Sequence, residues 1–214
     1  MLRADRGLQS LVVSSAVASE GKTVTVANVG ISLAQAGDTV VLVDADLRAP
    51  NLALVLGLSS DAGLTDVLVD DFPLQQALQA WGDGLPLEVL ASGRQPPNPS
   101  ELLGSQRFAS VLRLLTERAD LVILDAPALL PVTDAAILAR VTSGLILVTR
   151  LRSTRSAQVQ TATQTLRAVE EGVVGIVLNR SRIRGAWRHR ASYPRLARDV
   201  KVGAAADRPL DVPS

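Results

Sequence analysis

The chain has 214 residues, 47% of them hydrophobic but only 2% aromatic, with a formal net charge of +1. That is enough for one sizeable domain with a core of Leu, Val, Ala and Ile, and it leaves no charge excess to serve a general polyanionic partner. Cysteine is absent, which excludes disulfides and thiolate metal sites and fits a reducing compartment. The opening residues, Met1 to Arg6, lack the apolar core of a signal peptide, and no run approaches the roughly 18 apolar residues of a membrane span. The expected location is cytoplasmic, with any membrane attachment supplied by a partner.

Taken in order, Leu8 to Val13 reads as a buried strand. Val24 to Ala36 reads as a helix stopped by Gly37. Between them lies Ser14-Ser15-Ala16-Val17-Ala18-Ser19-Glu20-Gly21-Lys22-Thr23. Strand, small-residue loop, Gly-Lys-Thr and helix form the layout of a phosphate-binding P-loop. Its backbone N–H groups, over Ser19, Glu20, Gly21, Lys22, Thr23 and Val24, would surround phosphate, aided by the helix N-terminus. Lys22 would reach the β- and γ-phosphates, and the Thr23 hydroxyl would ligate Mg²⁺. The pattern is incomplete, because Ala16 stands where the motif has its first Gly. The competing reading is a surface lysine on an ordinary strand-to-helix turn. Against it, the chain has twenty Arg and only two Lys, Lys22 and Lys201. An Arg-biased composition would be expected to put Arg where positive charge alone suffices, whereas a P-loop needs a compact point charge on a flexible stem.

Thr39 to Val43 is the next strand and closes on Asp44-Ala45-Asp46. Asn51 to Asp71 reads as short helices, Pro73 to Trp81 as another helix, and Leu87 to Leu90 as a short strand. Gly93 to Pro99 is irregular, and Ser100 is placed as the N-cap of a helix running to about Ala119. Leu121 to Leu124 is a strand closing on Asp125. Thr133 caps a helix through Arg140, Leu145 to Val148 is a strand, Thr154 to Glu171 a helix, and Val173 to Leu178 the last strand, closing on Asn179-Arg180. Strands alternating with helices predict a doubly wound α/β fold, a mostly parallel sheet with helices on both faces. Ligands in such sheets sit beyond the carboxyl ends of the strands, where the P-loop, Asp44, Asp46, Asp125, Asn179 and Arg180 all fall.

Asp125 follows four apolar residues and can hold Mg²⁺. Asp44 and Asp46, two residues apart, can divide labour: one touches the Mg²⁺ shell, the other accepts a proton from an attacking hydroxyl. The alternative for this pair is a polar strand end with a helix-capping Asp. Asn179 and Arg180 could read an adenine edge by amide hydrogen bonds and guanidinium stacking, or simply form a turn. The lack of G-x-G-x-x-G argues against NAD.

With Val43-Asp44-Ala45-Asp46-Leu47-Arg48-Ala49-Pro50, Gly93 to Leu103, Asp120 to Pro127, Pro131-Val132-Thr133-Asp134 and Val177 to Arg180 added to the P-loop, the chain resembles the bacterial tyrosine kinases of the capsular exopolysaccharide family, relatives of the MinD/ParA ATPases. The resemblance covers about residues 8 to 181. It implies a Walker A motif at Ser14–Thr23, a Walker A′ at Val40–Asp46 and a Walker B at Leu121–Asp125. Lys22 then contacts the phosphates of ATP, Thr23 and Asp125 serve Mg²⁺, and Asp44 and Asp46 are the catalytic carboxylates. It further implies tyrosine autophosphorylation between copies, usually in a ring, activation by a membrane-embedded polysaccharide co-polymerase adaptor, and recruitment to the inner face of the plasma membrane. No nucleic acid partner is expected. Val17 stands where MinD/ParA relatives carry a second, signature Lys, which favours the kinase branch, and Val24 replaces a hydroxyl residue. Residues 1–7 are too few for the family's ring-building Glu-x-x-Arg-x-x-Arg helix.

The reading divides the chain into a P-loop domain, residues 1–181, and a basic tail, residues 182–214, rich in Arg and expected to be flexible. The tail is a phospho-acceptor arm, a basic arm touching anionic lipid, or a solvated extension. It holds the chain's single tyrosine, Tyr193, the candidate acceptor. That scarcity keeps open an ATP-binding or ATP-hydrolysing regulator of the same fold without kinase activity.

Overall fold

Apolar runs without polar alternation belong in strands covered on both faces, and the chain has several. The computed structural model describes residues 8–168 and 172–180. In it, β1 (Ser10–Ser15) and β2 (Val40–Asp44) are buried at every position. Between them runs α1 (Lys22–Gln35), ending at Ala36 and Gly37 as the sequence indicated. Then come the short α2 (Leu52–Leu56) and α3 (Leu64–Val69), α4 (Leu74–Ala77), β3 (Leu78–Ala80) and β4 (Leu87–Leu90). The second half holds α5 (Pro99–Leu103), α6 (Gln106–Arg118), β5 (Leu121–Asp125), α7 (Asp134–Ala139), β6 (Leu145–Arg150), α8 (Ser156–Ala168) and β7 (Val173–Asn179).

The seven strands among the described residues lie in the order β3-β4-β2-β5-β1-β6-β7, all parallel except β3. Alternate residues of the central strands enter two cores. Val13, Val40, Leu42 and Ile123 meet Val26, Ala27 and Ala34 of α1 and Leu52 of α2 on one face. Val12, Val41, Val43, Val122 and Leu124 meet Leu64, Phe108, Leu112, Ala136, Ala162 and Leu166 on the other. The doubly wound α/β expectation is therefore met, and β1, β2 and β5 lie side by side with their carboxyl ends together.

Three local expectations are corrected. The helix placed at Pro73 to Trp81 is one turn, α4, followed by β3, which pairs antiparallel with β4 (Leu78 opposite Leu90, Ala80 opposite Glu88). Pairing with the free edge of β4 satisfies backbone groups that so short a helix leaves open, and the Trp81 indole N–H donates to the Leu56 carbonyl at 2.9 Å. The long helix expected from Ser100 to Ala119 is broken into α5 and α6. Gly104 interrupts it, and the Ser105 hydroxyl caps α6 by accepting the Phe108 N–H at 3.1 Å. Ser100 thus lies inside α5 rather than capping it. Thr133 precedes α7 as expected, but its hydroxyl makes no capping bond.

Candidate active site

The P-loop links β1 to α1. Two residues in it take left-handed backbone, Ser19 (φ 63°) and Gly21 (φ 94°). At Gly21 a side chain is excluded twice over. The φ is unfavourable, and a Cβ would collide with the Asn179 amide at the end of β7. That amide donates to the Glu20 carbonyl at 2.9 Å. The Glu20 carboxylate is buried, accepting the Val17 N–H at 3.2 Å and the Thr154 hydroxyl proton, while Thr154 Oγ1 accepts the Arg150 N–H at 2.8 Å. The loop is therefore shaped by the ends of β6 and β7 as well as by its own residues. Ala16 is fully buried, and its carbonyl accepts the Leu130 N–H at 3.2 Å. Gly21→Ala is expected to destabilise the domain by about 1–3 kcal/mol and to weaken nucleotide binding with it. Denaturant titration and a fluorescent-ATP titration check this, and an Ala variant matching wild type in both would sink it.

Asp44 and Asp125 are paired neighbours at the ends of β2 and β5. Asp44 is buried, and its Oδ2 accepts the Leu52 N–H at 2.9 Å at the start of α2, its Oδ1 the Asp46 N–H at 3.3 Å. The capping reading of Asp44 is thus realised beside any catalytic one. Burial pushes its pKa up to about 6, the Leu52 N–H opposing and the Asp46 charge adding. Asp46 lies past the strand, half-buried, and accepts the Ala49 N–H at 3.1 Å. Burial raises its pKa too, with the Ala49 N–H and the Lys22 charge pulling the other way.

Asp125 is 1% exposed, and neither of its carboxylate oxygens has a hydrogen-bond partner. Burial pushes its pKa up to about 7. The neighbouring Thr23 hydroxyl and the Lys22 charge offset part of this, and the charges of Asp44 and Asp46 add to it. Thr23 lies close enough to be felt without completing a hydrogen bond. An orphaned buried carboxylate beside a hydroxyl and a lysine is costly in isolation and suits a site completed by a cation. Among the described residues there is no cluster of three or more Asp, Glu, His or Cys that could hold a metal.

Comparison with known proteins decides the family. The CobQ/CobB/MinD/ParA nucleotide-binding domain matches residues 11–204. The tyrosine-protein kinase YwqD of Bacillus subtilis is 38% identical over 175 residues, 82% of this chain and 73% of that protein. The chain belongs to the bacterial tyrosine kinases. The kinase domain of the Escherichia coli tyrosine kinase ETK superposes with a TM-score of 0.78 at 28% identity, covering 87% of this chain and 74% of that one. MinD of Pyrococcus horikoshii, solved with Mg-ADP, gives a TM-score of 0.67 at 25% identity over 81% of this chain and 72% of its own.

Within this tyrosine-kinase domain, Ser19, Glu20 and Gly21 lie on the loop, and Lys22 and Thr23 open α1 directly after it. Lys22 is near enough to Asp46 and Asp125 for its charge to reach both. Val24, in the first turn of α1, is half exposed. Asn179 is placed against the P-loop, with its Oδ1 accepting the Arg180 N–H at 2.7 Å, and Arg180 sits in a left-handed turn (φ 54°). The turn reading of this pair is therefore realised, and the Asn179 amide is engaged within the chain at both ends. Thr154 had no sequence signal, since only the fold carries it to Glu20, 134 residues away. Tyr193, the tail and the 181/182 boundary lie outside the described residues.

Proposed function

We propose that this member of the bacterial tyrosine kinases transfers the γ-phosphoryl group of ATP to a tyrosine, with Tyr193 of a second copy as acceptor. The observation that carries the reading is the buried, unpartnered Asp125 carboxylate, beside Asp44 at the strand ends that the Gly21-Lys22-Thr23 loop faces, in a chain 38% identical to a tyrosine-protein kinase. In the proposed reaction the tyrosine oxygen attacks the γ-phosphorus, the bond from that phosphorus to the β–γ bridging oxygen breaks, and ADP leaves. The phenolic proton passes to Asp46, whose raised pKa makes it a better base than a solvated aspartate. Lys22 and the N–H groups of Ser19 to Val24 would hold the phosphates, and Arg180 would stack on adenine. Thr23 and Asp125, with Asp44 behind them, would hold Mg²⁺, which supplies charge neutralisation of the phosphates when bound.

The same reading gives the domain its setting. It would dock on a membrane-embedded polysaccharide co-polymerase at the inner face of the plasma membrane and regulate polysaccharide polymerisation and export. Among the described residues no helix is long and apolar enough to cross a membrane.

The test is intact-mass analysis after incubation with Mg-ATP, alongside free-phosphate release. A phosphate adduct on wild type that is lost in Tyr193→Phe supports the reading. Free phosphate without an adduct would instead support an ATP-hydrolysing regulator, the reading that the single tyrosine keeps open. Asp46→Asn is expected to leave the Kd for ATP near wild type and to lower turnover by about 10²-fold. Unchanged turnover would remove Asp46 from the chemistry.

A further inference from the structure

Two of the stretches that carried the family resemblance, Pro96 to Leu103 and Pro131 to Asp134, have no part in the nucleotide site described above. The fold brings both to one residue of the Walker A′ loop. Arg48 Nε donates to Asp134 Oδ2 at 2.8 Å, and its Nη2 donates to Asp134 Oδ1 at 3.1 Å. The same Nη2 lies 3.0 Å from Ser100 Oγ, and Ser100 Oγ donates to Asp134 Oδ1 at 2.6 Å. Gln95 Nε2 donates to the Arg48 carbonyl at 2.6 Å. Asp134 is fully buried, whereas 39% of the Arg48 side chain is exposed. A buried carboxylate needs its cation and hydrogen bonds, so this bidentate pair fixes the guanidinium in plane and in direction.

The consequence lies two residues upstream. Between Asp46 and Arg48 stands Leu47, buried in the core. The loop is closed at its far end by Asp44 accepting the Leu52 N–H, and inside by the Asn51 amide on the Ala49 carbonyl at 2.9 Å. The Asp46 carboxylate itself is turned by the Ala49 N–H, 3.1 Å from its Oδ1 and directly after Arg48. Anything that lets Arg48 slide moves Ala49 and with it Asp46.

We infer that Arg48, gripped by Asp134, Ser100 and Gln95, is a positioning residue that sets the direction of the Asp46 carboxylate toward the γ-phosphate. Arg48 does not itself bind nucleotide. This rests on the role proposed for Asp46, and the test separates the two. Arg48→Lys keeps the charge but cannot make the fork. It is expected to lower kcat about ten-fold or more while the Kd for ATP stays within about two-fold of wild type. It is also expected to weaken hydrogen-exchange protection of the Ala49 amide. Ser100→Ala, which leaves the Arg48–Asp134 pair in place, is expected to give a smaller loss of both kcat and protection, and Ser100→Thr, which keeps the hydroxyl, to restore them. Loss of ATP affinity in proportion to kcat would overturn the inference, because Arg48 would then be a phosphate ligand. So would an Ala49 amide as protected in Arg48→Lys as in wild type, a readout that needs no turnover. If wild type shows no phosphoryl transfer, the kinase reading fails while the exchange measurement still decides the clamp.

Discussion

Lys22→Ala is expected to lower kcat/KM for Mg-ATP by about 10³-fold or more. The ground-state share is the loss of a charge-assisted contact to phosphate, worth roughly 1.5–3 kcal/mol and read as a rise of about ten- to a hundred-fold in Kd. The rest is expected in kcat, since the γ-phosphoryl group gathers charge on oxygens that Lys22 would touch as the bond to ADP breaks. The variant is expected to fold: Lys22 opens α1 at a partly exposed position, and Ala is a good helix former. A fluorescent-ATP titration and steady-state kinetics separate the two shares. An unchanged Kd would show that the loop does not hold phosphate through Lys22. Lys22→Arg is expected to recover little, because a planar fork does not replace a point charge in so small a loop.

Asp125→Asn is expected to move activity and stability in opposite directions. Asp125 has its pKa raised from 3.8 to about 7 by burial. An acid whose folded pKa lies above its unfolded one stabilises the fold fully only below the unfolded value. That stability is lost as pH rises toward the folded value. The nucleotide-free domain should therefore lose stability between about pH 4 and pH 7, with Asp44, raised to about 6, adding in the same direction up to that point. Asn carries no charge at any pH. At pH 8 without Mg²⁺ the variant should thus be more stable than wild type by a few kcal/mol, and the two should converge near pH 4. In Mg-ATP the order reverses, because wild type gains from cation binding to the ionised carboxylate, and turnover of the variant should fall by about 10²-fold. Denaturant titrations at pH 5 and pH 8, in EDTA and in Mg-ADP, check each part. Identical pH profiles for the two proteins in EDTA would show that Asp125 is not the buried charge described.

The parts of this site that the sequence displays are those fixed by local pattern. Buried parallel strands are apolar runs, so the residue at which each run stops is visible, and Asp44, Asp125 and Asn179 were found that way. The P-loop was legible from Gly21-Lys22-Thr23 despite Ala16. What was not legible is set by distance along the chain. β3 exists because β4 offers a free edge, which no window of residues around Leu78 contains. Ser100 looks like a helix cap locally, but its hydroxyl goes to Asp134, 34 residues on. Arg48 is charged and partly exposed, so nothing near it in sequence marks it as bound to a carboxylate 86 residues away. Asn179 is visible as a strand end, but no local pattern shows that its amide donates to the P-loop. Its partner Glu20 lies 159 residues earlier.

That last contact has a consequence for the order in which the protein is made. The phosphate loop follows directly on β1, but the amide that fits against Gly21 arrives only with residue 179, at the end of the last described strand. A nascent chain still lacking β7 carries the whole Gly-Lys-Thr sequence without the wall that shapes it. The shape of the loop around Gly21 is thus completed only when β7 has joined the sheet.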